Sequence, residues 1–245
     1  MLPCLTSQEI ELFGLAMPTQ GVLAFAGAVL GHAAFVRVAL RRGRLGRAQA
    51  ELAGIVGLLA AIAGGHLLAV LQQPHMDGAV WAHVIRFQAS LGALGGGALA
   101  LTILGRRWRR SVAALLDTGA LAFAWGWPLV RLGCALVHDH MGRSSNGPLA
   151  VAFAGGGRYD LGVLEWLASL PLLVATVWLA RRDPPAGVLA AAFGLAFTAA
   201  RLPLELLRVD DLSSLANRGS LLNITALCIV VAVAMNLLAR GSVVR

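Results

Sequence analysis

Seven apolar stretches, each about the length of a membrane-spanning helix, constrain the fold of this chain more than any other feature of its sequence. A helix needs about 20 mostly apolar residues to cross the hydrocarbon core of a bilayer. The stretches predict an all-α membrane protein, a bundle of about seven transmembrane helices that forms one domain over residues 1–245. They run over Thr19–Leu40, Leu52–Leu71, Ile85–Leu104, Leu115–Leu136, Leu161–Ala180, Gly187–Leu207 and Leu221–Leu238.

The charge of the chain fits a membrane protein better than a nucleic-acid-binding one. Only 13% of the residues are charged and 58% are hydrophobic, whereas roughly a quarter of the residues of a soluble domain are charged. All twenty basic residues are arginine, and the net charge is +8. Such an excess in a soluble protein would suggest nucleic acid. Here most of the arginines lie in short connections between apolar stretches, so we expect no nucleic-acid partner.

Thirteen arginines follow the first, third, fifth and seventh apolar stretches or lie at their ends, and thus share one side of the predicted path. Arginine-rich short loops stay in the cytoplasm. The pattern therefore predicts a cytoplasmic C-terminus and an N-terminus on the outside. These arginines are Arg37, Arg41, Arg42, Arg44, Arg47, Arg106, Arg107, Arg109, Arg110, Arg181, Arg182, Arg240 and Arg245.

The other seven arginines, together with most of the remaining histidines and carboxylates, fall on the outer side of this predicted topology. They lie in loops around 72–86, 138–160 and 208–220 or at the helix ends beside them. Arg131 and Arg201 lie within apolar stretches, where a charge costs at least ~2.5 kcal/mol on insertion scales. We therefore expect an outward-facing polar cavity that recognises an anion.

The segment RLGCALVHDHMGR, residues 131–143, is the densest in chemically active side chains. Helical spacing would put Arg131, Cys134 and His138 on one face. Two interpretations of Arg131 stay open. Its guanidinium would make bidentate contacts to a phosphate or carboxylate of a ligand, or it would form an ion pair with Asp139 or Glu165.

Two further segments carry charge near the outer side. In RLPLELLRVDD, Arg201, Glu205 and Arg208 share one helical face, and a salt-bridge ladder accounts for part of this pattern. In GGGRYDLGVLEW, a glycine turn leads into a helix that carries Glu165.

The third apolar stretch is rich in glycine. Small residues at these positions allow the backbones of neighbouring membrane helices to approach closely, which we prefer to a role in ligand binding. The glycines are Gly92, Gly95, Gly96 and Gly97.

Taken together, these segments resemble the prolipoprotein diacylglyceryl transferase family of bacterial inner membranes. The family signature begins Arg-x-Gly-Asn/Cys and ends Gly-Arg, and residues 131–143 match it without a gap. An outer segment with Arg before a helix with Glu, and a late Arg-x-x-x-Glu-x-x-Arg element, are matched as well. The matching positions are Asp117, Arg131, Gly133, Cys134, Asp139, Gly142, Arg143, Arg158, Glu165, Arg201, Glu205 and Arg208.

The resemblance implies an enzyme that moves a diacylglyceryl group from phosphatidylglycerol to the lipobox cysteine thiol of a prolipoprotein. Its partners would be phosphatidylglycerol, prolipoprotein signal peptides and membrane lipid, in the bacterial inner membrane. It would need no cofactor and no metal.

The resemblance also implies roles for individual side chains. Arg131 and Arg201 would hold the lipid phosphate and stabilise the departing glycerol phosphate. Glu205 and Asp139 would orient these guanidiniums or bind glycerol hydroxyls, and Gly142 would let the backbone turn close to the headgroup. The remaining substrate-binding residues would be His66, Arg143, Arg158, Glu165 and Arg208.

The chain departs from the family pattern at the position of a proposed catalytic base. The family has His-Gly-Gly in the third helix, where this chain has Leu94 before Gly95. His66 replaces the arginine usual in the second helix. A base would then come from His138 or His140, which we name with Arg131 and Arg201 as the catalytic residues, or from His66.

Two alternative functions remain. A homologue without catalysis, or with changed chemistry, would keep the lipid site and lose transfer. A metal or ion transport protein would use imidazole and carboxylate ligands, although no internal repeat or helical ligand spacing supports transport. The ligands would be His66, His75, His83, His138, Asp139 and His140.

Overall fold

A computed structural model describes residues 1–12, 14–72, 89–208 and 218–242 of the chain. Seven helices account for most of these residues, and six of them are long and apolar enough to cross a membrane. The helices are α1 (Thr19–Arg41), α2 (Arg47–Gln72), α3 (Ser90–Arg107), α4 (Val112–Val137), α5 (Leu161–Arg181), α6 (Val188–Leu207) and α7 (Arg218–Ser242).

The prediction of a helical membrane bundle is confirmed by these helices. Large apolar side chains such as Phe25, Leu59 and Val174 are well exposed on the outside of the bundle, as a surface that faces lipid requires. The helix α3 has 18 residues and ends in two arginines; the start predicted for it, at Ile85, lies outside the described residues. The orientation of the termini stays a prediction.

Helix α4 lies at the centre of the bundle, since it packs against α1, α3, α5 and α6. Its approach to α1 depends on glycine, because a Cβ on Gly27 would lie 2.6 Å from the carbonyl oxygen of Gly126. The Ser111 hydroxyl accepts a hydrogen bond from the Ala114 amide and caps the start of α4. Helix α4 thus contacts most of the other helices that the structure describes.

The aromatic side chains of α4 and α6 form an apolar layer inside the bundle. Phe123 stacks on Trp127 with ring centroids 4.8 Å apart, and Phe193 and Phe197 pack edge-on against Phe123. Leu94 of α3 packs against the same cluster. The position at which the family has histidine is therefore part of an apolar layer in this chain.

At the end of the bundle where α6 begins, Asp117 of α4 acts as a cap. Its carboxylate accepts hydrogen bonds of 2.8 Å from the amides of Gly187 and Ala190, which satisfies two of the open N–H groups at a helix start. Arg44 lies 3.9 Å from this carboxylate and donates to Thr118 Oγ1 at 2.7 Å. Arg44, predicted only as a topology signal, therefore also ties the connection between α1 and α2 to α4.

Two small antiparallel sheets, which the sequence did not predict, cover the opposite end. They contain β1 (Glu9–Leu12) with β2 (Leu15–Pro18), and β3 (Met141–Ser144), β4 (Ala150–Phe153) and β5 (Gly156–Asp160) in the order β3-β5-β4.

The N-terminal segment joins the second of these sheets. Leu2 exchanges backbone hydrogen bonds with Ala150 and Ala152, and the Ser7 amide donates to Leu136 at the end of α4. The predicted outer loop 138–160 is therefore an ordered cover. Most of the other two, 72–86 and 208–220, lies outside the described residues.

The glycines of α3 were predicted to permit close packing, and the structure confirms this for two of them. A Cβ on Gly92 would run into the carbonyl group of Gly64 on α2, and one on Gly96 into that of Ala60. The prediction does not hold for Gly95, where an added Cβ meets nothing within 4 Å.

These two environments on one helix give a matched test of the packing. We expect Gly92→Val to lower the melting temperature of the detergent-solubilised protein by several degrees, because the backbones of α2 and α3 must separate. Gly95→Val changes the same residue type on the same helix and serves as the control. Equal melting temperatures for the two variants would contradict the packing described here.

Candidate functional site

A buried chain of ion pairs joins α4, α5 and α6 near the sheet-covered end. The side chain of Glu165 lies between Arg131 and Arg201, and all three are at least nine-tenths buried. Glu165 Oε2 is 2.6 Å from Arg131 Nε, and Glu165 Oε1 pairs with Arg201 Nη1. Of the two interpretations of Arg131, the ion pair with Glu165 is therefore present.

The chain of ion pairs continues along α6 to α7 and α2. Arg201 Nη2 lies 3.1 Å from Glu205 Oε1, and Arg208 Nε lies 3.2 Å from Glu205 Oε2. The Asn223 amide donates to Glu205 Oε2 at 3.1 Å and accepts a 2.6 Å hydrogen bond from Gln72. The ladder predicted for α6 is confirmed, and it extends into two more helices.

The charges of this cluster do not balance. Three guanidiniums face two carboxylates, Glu165 and Glu205, which leaves an excess of one positive charge. Arg131 also stacks on Trp127, with its guanidinium carbon 4.2 Å from the ring centroid, an arrangement that favours a cation. Arg201 Nε is buried and makes no hydrogen bond within the described part of the chain. The cluster therefore has unused capacity for an anion.

A small crevice with a cavity volume of about 20 Å³ lies beside these arginines, between α5 and α6. One end carries the carboxylate and guanidinium, and the rest is apolar and aromatic. A space of this size holds about one water molecule, so the crevice marks where charged and apolar surfaces of the bundle meet. The lining includes Trp127, Glu165, Ser169, Leu172, Phe197 and Arg201.

A second polar cluster lies where α4 ends, beside Arg131. One ligating atom each from Cys134, Asp139 and His140 lies within 4.8 Å of the other two. His140 Nδ1 is 2.6 Å from Asp139 Oδ1, and Gln20 Nε2 donates to Asp139 Oδ2 at 2.8 Å. Burial lowers the pKa of His140, against the opposing effect of the Asp139 hydrogen bond. This shift favours the neutral imidazole.

His138 does not share the predicted face with Arg131 and Cys134. Helix α4 ends at Val137, and His138 takes the left-handed conformation, with φ 52°. Its ring therefore turns toward Asp160, whose Oδ2 is 2.5 Å from His138 Nδ1, while His138 Nε2 lies 3.5 Å from Cys4 Sγ. The helical spacing holds for Arg131 and Cys134 and fails at the helix end.

The remaining predicted residues lie in the cover or on α2. A Cβ on Gly142 would lie 2.6 Å from the Leu207 carbonyl oxygen, so this glycine is required for contact with α6. The Gly142 carbonyl accepts a 2.9 Å hydrogen bond from Arg158. Arg143 is exposed and lies 6.0 Å from the Tyr159 ring. His66 is half-buried on α2, and His75 and His83 lie outside the described residues.

Four residues of the site were not predicted: Gln20, Gln72, Trp127 and Asn223. Three of them are uncharged amides in or beside long apolar stretches, and this isolation is the signal that would have identified them. A buried amide at membrane depth needs a partner, and the partners here are Asp139, Glu205 and one another.

The fold and site define a multi-pass helical membrane protein whose buried, positively charged site opens onto an apolar crevice. The family model of prolipoprotein diacylglyceryl transferase matches residues 8–239, nearly the whole chain. The chain belongs to this family, whose members are membrane transferases of lipoprotein biosynthesis. A comparison with curated proteins gave no match.

The central position of Glu165 predicts a large effect on stability. We expect Glu165→Gln to reduce the free energy of unfolding by about 3–5 kcal/mol, because two buried guanidiniums lose their shared carboxylate. Unfolding by a denaturing detergent, followed by circular dichroism, measures the change. The control is Asp183→Asn, which removes a 3.7 Å pair with Arg42 on an exposed carboxylate and should not shift the transition. Equal effects would show that Glu165 is not the centre of the network.

Proposed function

We propose that this protein transfers the diacylglyceryl group of phosphatidylglycerol to the lipobox cysteine thiol of a prolipoprotein, at the outer face of a bacterial inner membrane. One observation carries the proposal. Arg131 and Arg201, from two different helices, meet at Glu165 beside a crevice that is charged at one end and apolar along its length.

Two fixed guanidiniums suit the leaving group of this reaction. The acceptor thiolate attacks the glyceryl carbon, the bond from that carbon to the phosphate oxygen breaks, and glycerol phosphate departs with the electron pair. Negative charge grows on the phosphate as the bond breaks. Arg131 and Arg201 are held in place before the reaction, so they stabilise this charge without reorganisation.

Glu165 and Glu205 act as positioning residues in this proposal. Glu165 pairs with both buried arginines and Glu205 pairs with Arg201, and both carboxylates are themselves buried. Arg208 is partly exposed at the end of the ladder, where it would meet the distal glycerol of the headgroup. Gly142, Arg143 and Arg158 belong to the cover that closes over the site.

The acceptor thiol must lose its proton to become a nucleophile, and we propose that His140 accepts this proton. Arg131 and Arg208 are both near enough to act on its charge, so this ring borders the headgroup arginines. Asp139 holds Nδ1. His138 is enclosed between Asp160 and Cys4, and His66 would line the site from α2.

The proposal predicts that transfer requires the planar guanidinium of both Arg131 and Arg201. Arg131→Lys and Arg201→Lys keep the charge and lose the planar fork, and we expect each to reduce transfer of labelled diacylglycerol to a lipobox peptide at least tenfold. Arg182→Lys is the matched control, since Arg182 also stacks on a tryptophan, Trp178, but lies at the opposite end of α5 from Glu165. A folded wild-type protein that binds phosphatidylglycerol without transfer would contradict the proposal and indicate a lipid-binding homologue.

The two histidines are separated by a second comparison. We expect His140→Gln to reduce transfer by about 10²–10⁴-fold, the range for loss of an acid–base group, with phosphatidylglycerol binding retained. His138→Gln should lose far less transfer, because its ring faces Asp160 and Cys4. Transfer that survives in His140→Gln and disappears in His138→Gln would reverse the assignment.

A further inference from the structure

A cavity of about 220 Å³ opens between α1, α4 and α5, at the end of the bundle opposite to the chain of ion pairs. Helix α5 shows the separation, because Glu165 lies near its start and Arg181, which lines the cavity, is its last residue. At about 1.5 Å per residue, the two sites are roughly 24 Å apart along this helix. The cavity is therefore distinct from the transfer site.

The charged part of the cavity wall is cationic. Arg41 ends α1, Arg42 follows it, and Arg181 ends α5, and all three line the cavity together with apolar residues only. Asp183 lies 3.7 Å from Arg42 Nη1, but its side chain is 85% exposed, so water weakens this pair. Three guanidiniums thus face one exposed carboxylate in the part of the chain that the structure describes.

The rest of the cavity wall is apolar and lies toward the interior of the membrane. Val38 and Val177 lie about one helical turn inside the arginine ends of α1 and α5. Leu121 and Trp125 of α4 line the cavity one turn apart, and Trp125 is 38% exposed. The cavity is therefore charged at the helix ends and apolar along the helices, which is the orientation of a phospholipid in a bilayer.

A neighbouring tryptophan places the arginine end of the cavity at the level of the lipid headgroups. The guanidinium carbon of Arg182 lies 3.7 Å from the ring centroid of Trp178, and this tryptophan is 55% exposed. Tryptophan is enriched where transmembrane helices cross the membrane–water interface. Arg181 therefore lies close to the phosphates of one leaflet.

We infer that this cavity binds an anionic phospholipid of the leaflet at the arginine-rich end, which is the cytoplasmic leaflet in the predicted topology. Basic pockets between transmembrane helices on that side bind lipid headgroups. The phosphate accepts hydrogen bonds from arginines at the ends of α1 and α5, and an acyl chain runs along Val177 and Trp125. A free phosphate ion would leave this apolar wall uncovered. The bound lipid joins α1 to α5 and takes no part in transfer.

A photoreactive lipid tests the position and the chemistry of the site. The full-length protein is reconstituted in phosphatidylcholine vesicles with a small fraction of phosphatidylglycerol that carries a diazirine in its acyl chain. Cross-links formed on irradiation are assigned to single residues by mass spectrometry. We expect cross-links at Trp125 and Val177, in addition to any at the transfer site. An excess of unlabelled phosphatidylglycerol or cardiolipin should remove them, whereas added phosphatidylcholine or inorganic phosphate should not.

Arginine variants test the charge of the cavity. Each arginine near an anionic lipid surface contributes about a fivefold gain in binding, so we expect the double variant Arg41→Gln and Arg181→Gln to reduce cross-linking at Trp125 roughly tenfold or more. Arg42 is kept, because it also donates to the Ala180 carbonyl at 2.5 Å. The control is the double variant Arg106→Gln and Arg107→Gln, which removes the same charge from the last turn of α3, outside the cavity.

The outcomes separate an anionic lipid from other occupants. Removal of the Trp125 cross-link by phosphatidylcholine as readily as by phosphatidylglycerol would indicate ordinary contact with bulk lipid and overturn the site. Removal by inorganic phosphate would indicate a site for a free anion. An equal loss in the α3 control would show that total charge, and not this cavity, attracts the lipid. Selective removal by anionic lipid in the wild-type protein supports the site even if the double variant does not fold.

Discussion

The rest of the site depends on the burial of two arginines inside a membrane bundle. A guanidinium at that depth persists only with a carboxylate beside it, since an unpaired buried charge is strongly destabilising. Glu165 meets this requirement for Arg131 and Arg201 together. Because the three residues belong to α4, α5 and α6, one carboxylate fixes the relative positions of three helices and thereby the walls of the crevice.

In the same arrangement, the charges that stabilise the fold are distinct from the charge that would bind a ligand. Ion pairs within the cluster satisfy most of the charge, and the one surplus positive charge is available to a phosphate without dismantling the network. The apolar layer of Phe123, Trp127, Phe193 and Phe197 lies against the cluster, which lowers the local polarity and strengthens every interaction of the bound anion.

The sequence predicted the helices and the charged ladder well because both follow from local periodicity. An apolar run of bilayer length identifies a span, and Arg201, Glu205 and Arg208 share a face by helical spacing alone. The sheets were missed because their strands have four or five residues, too few for a pattern. His138 was placed on the wrong face because the helix ends one residue before it. The contacts of Gln20 and Asn223 depend on helices distant in sequence, which no local pattern reports.

The cover of the site also has a consequence for the order in which the protein can be assembled. Leu2 and Ser7 are synthesised well before their backbone partners, Ala150, Ala152 and Leu136. In the predicted topology, these partners reach the outer side only after α4 has entered the membrane. The N-terminal segment must therefore wait, unpaired, through the insertion of half the bundle. Closure of the cover is thus a late event of biogenesis, and an incompletely inserted chain would leave its site open.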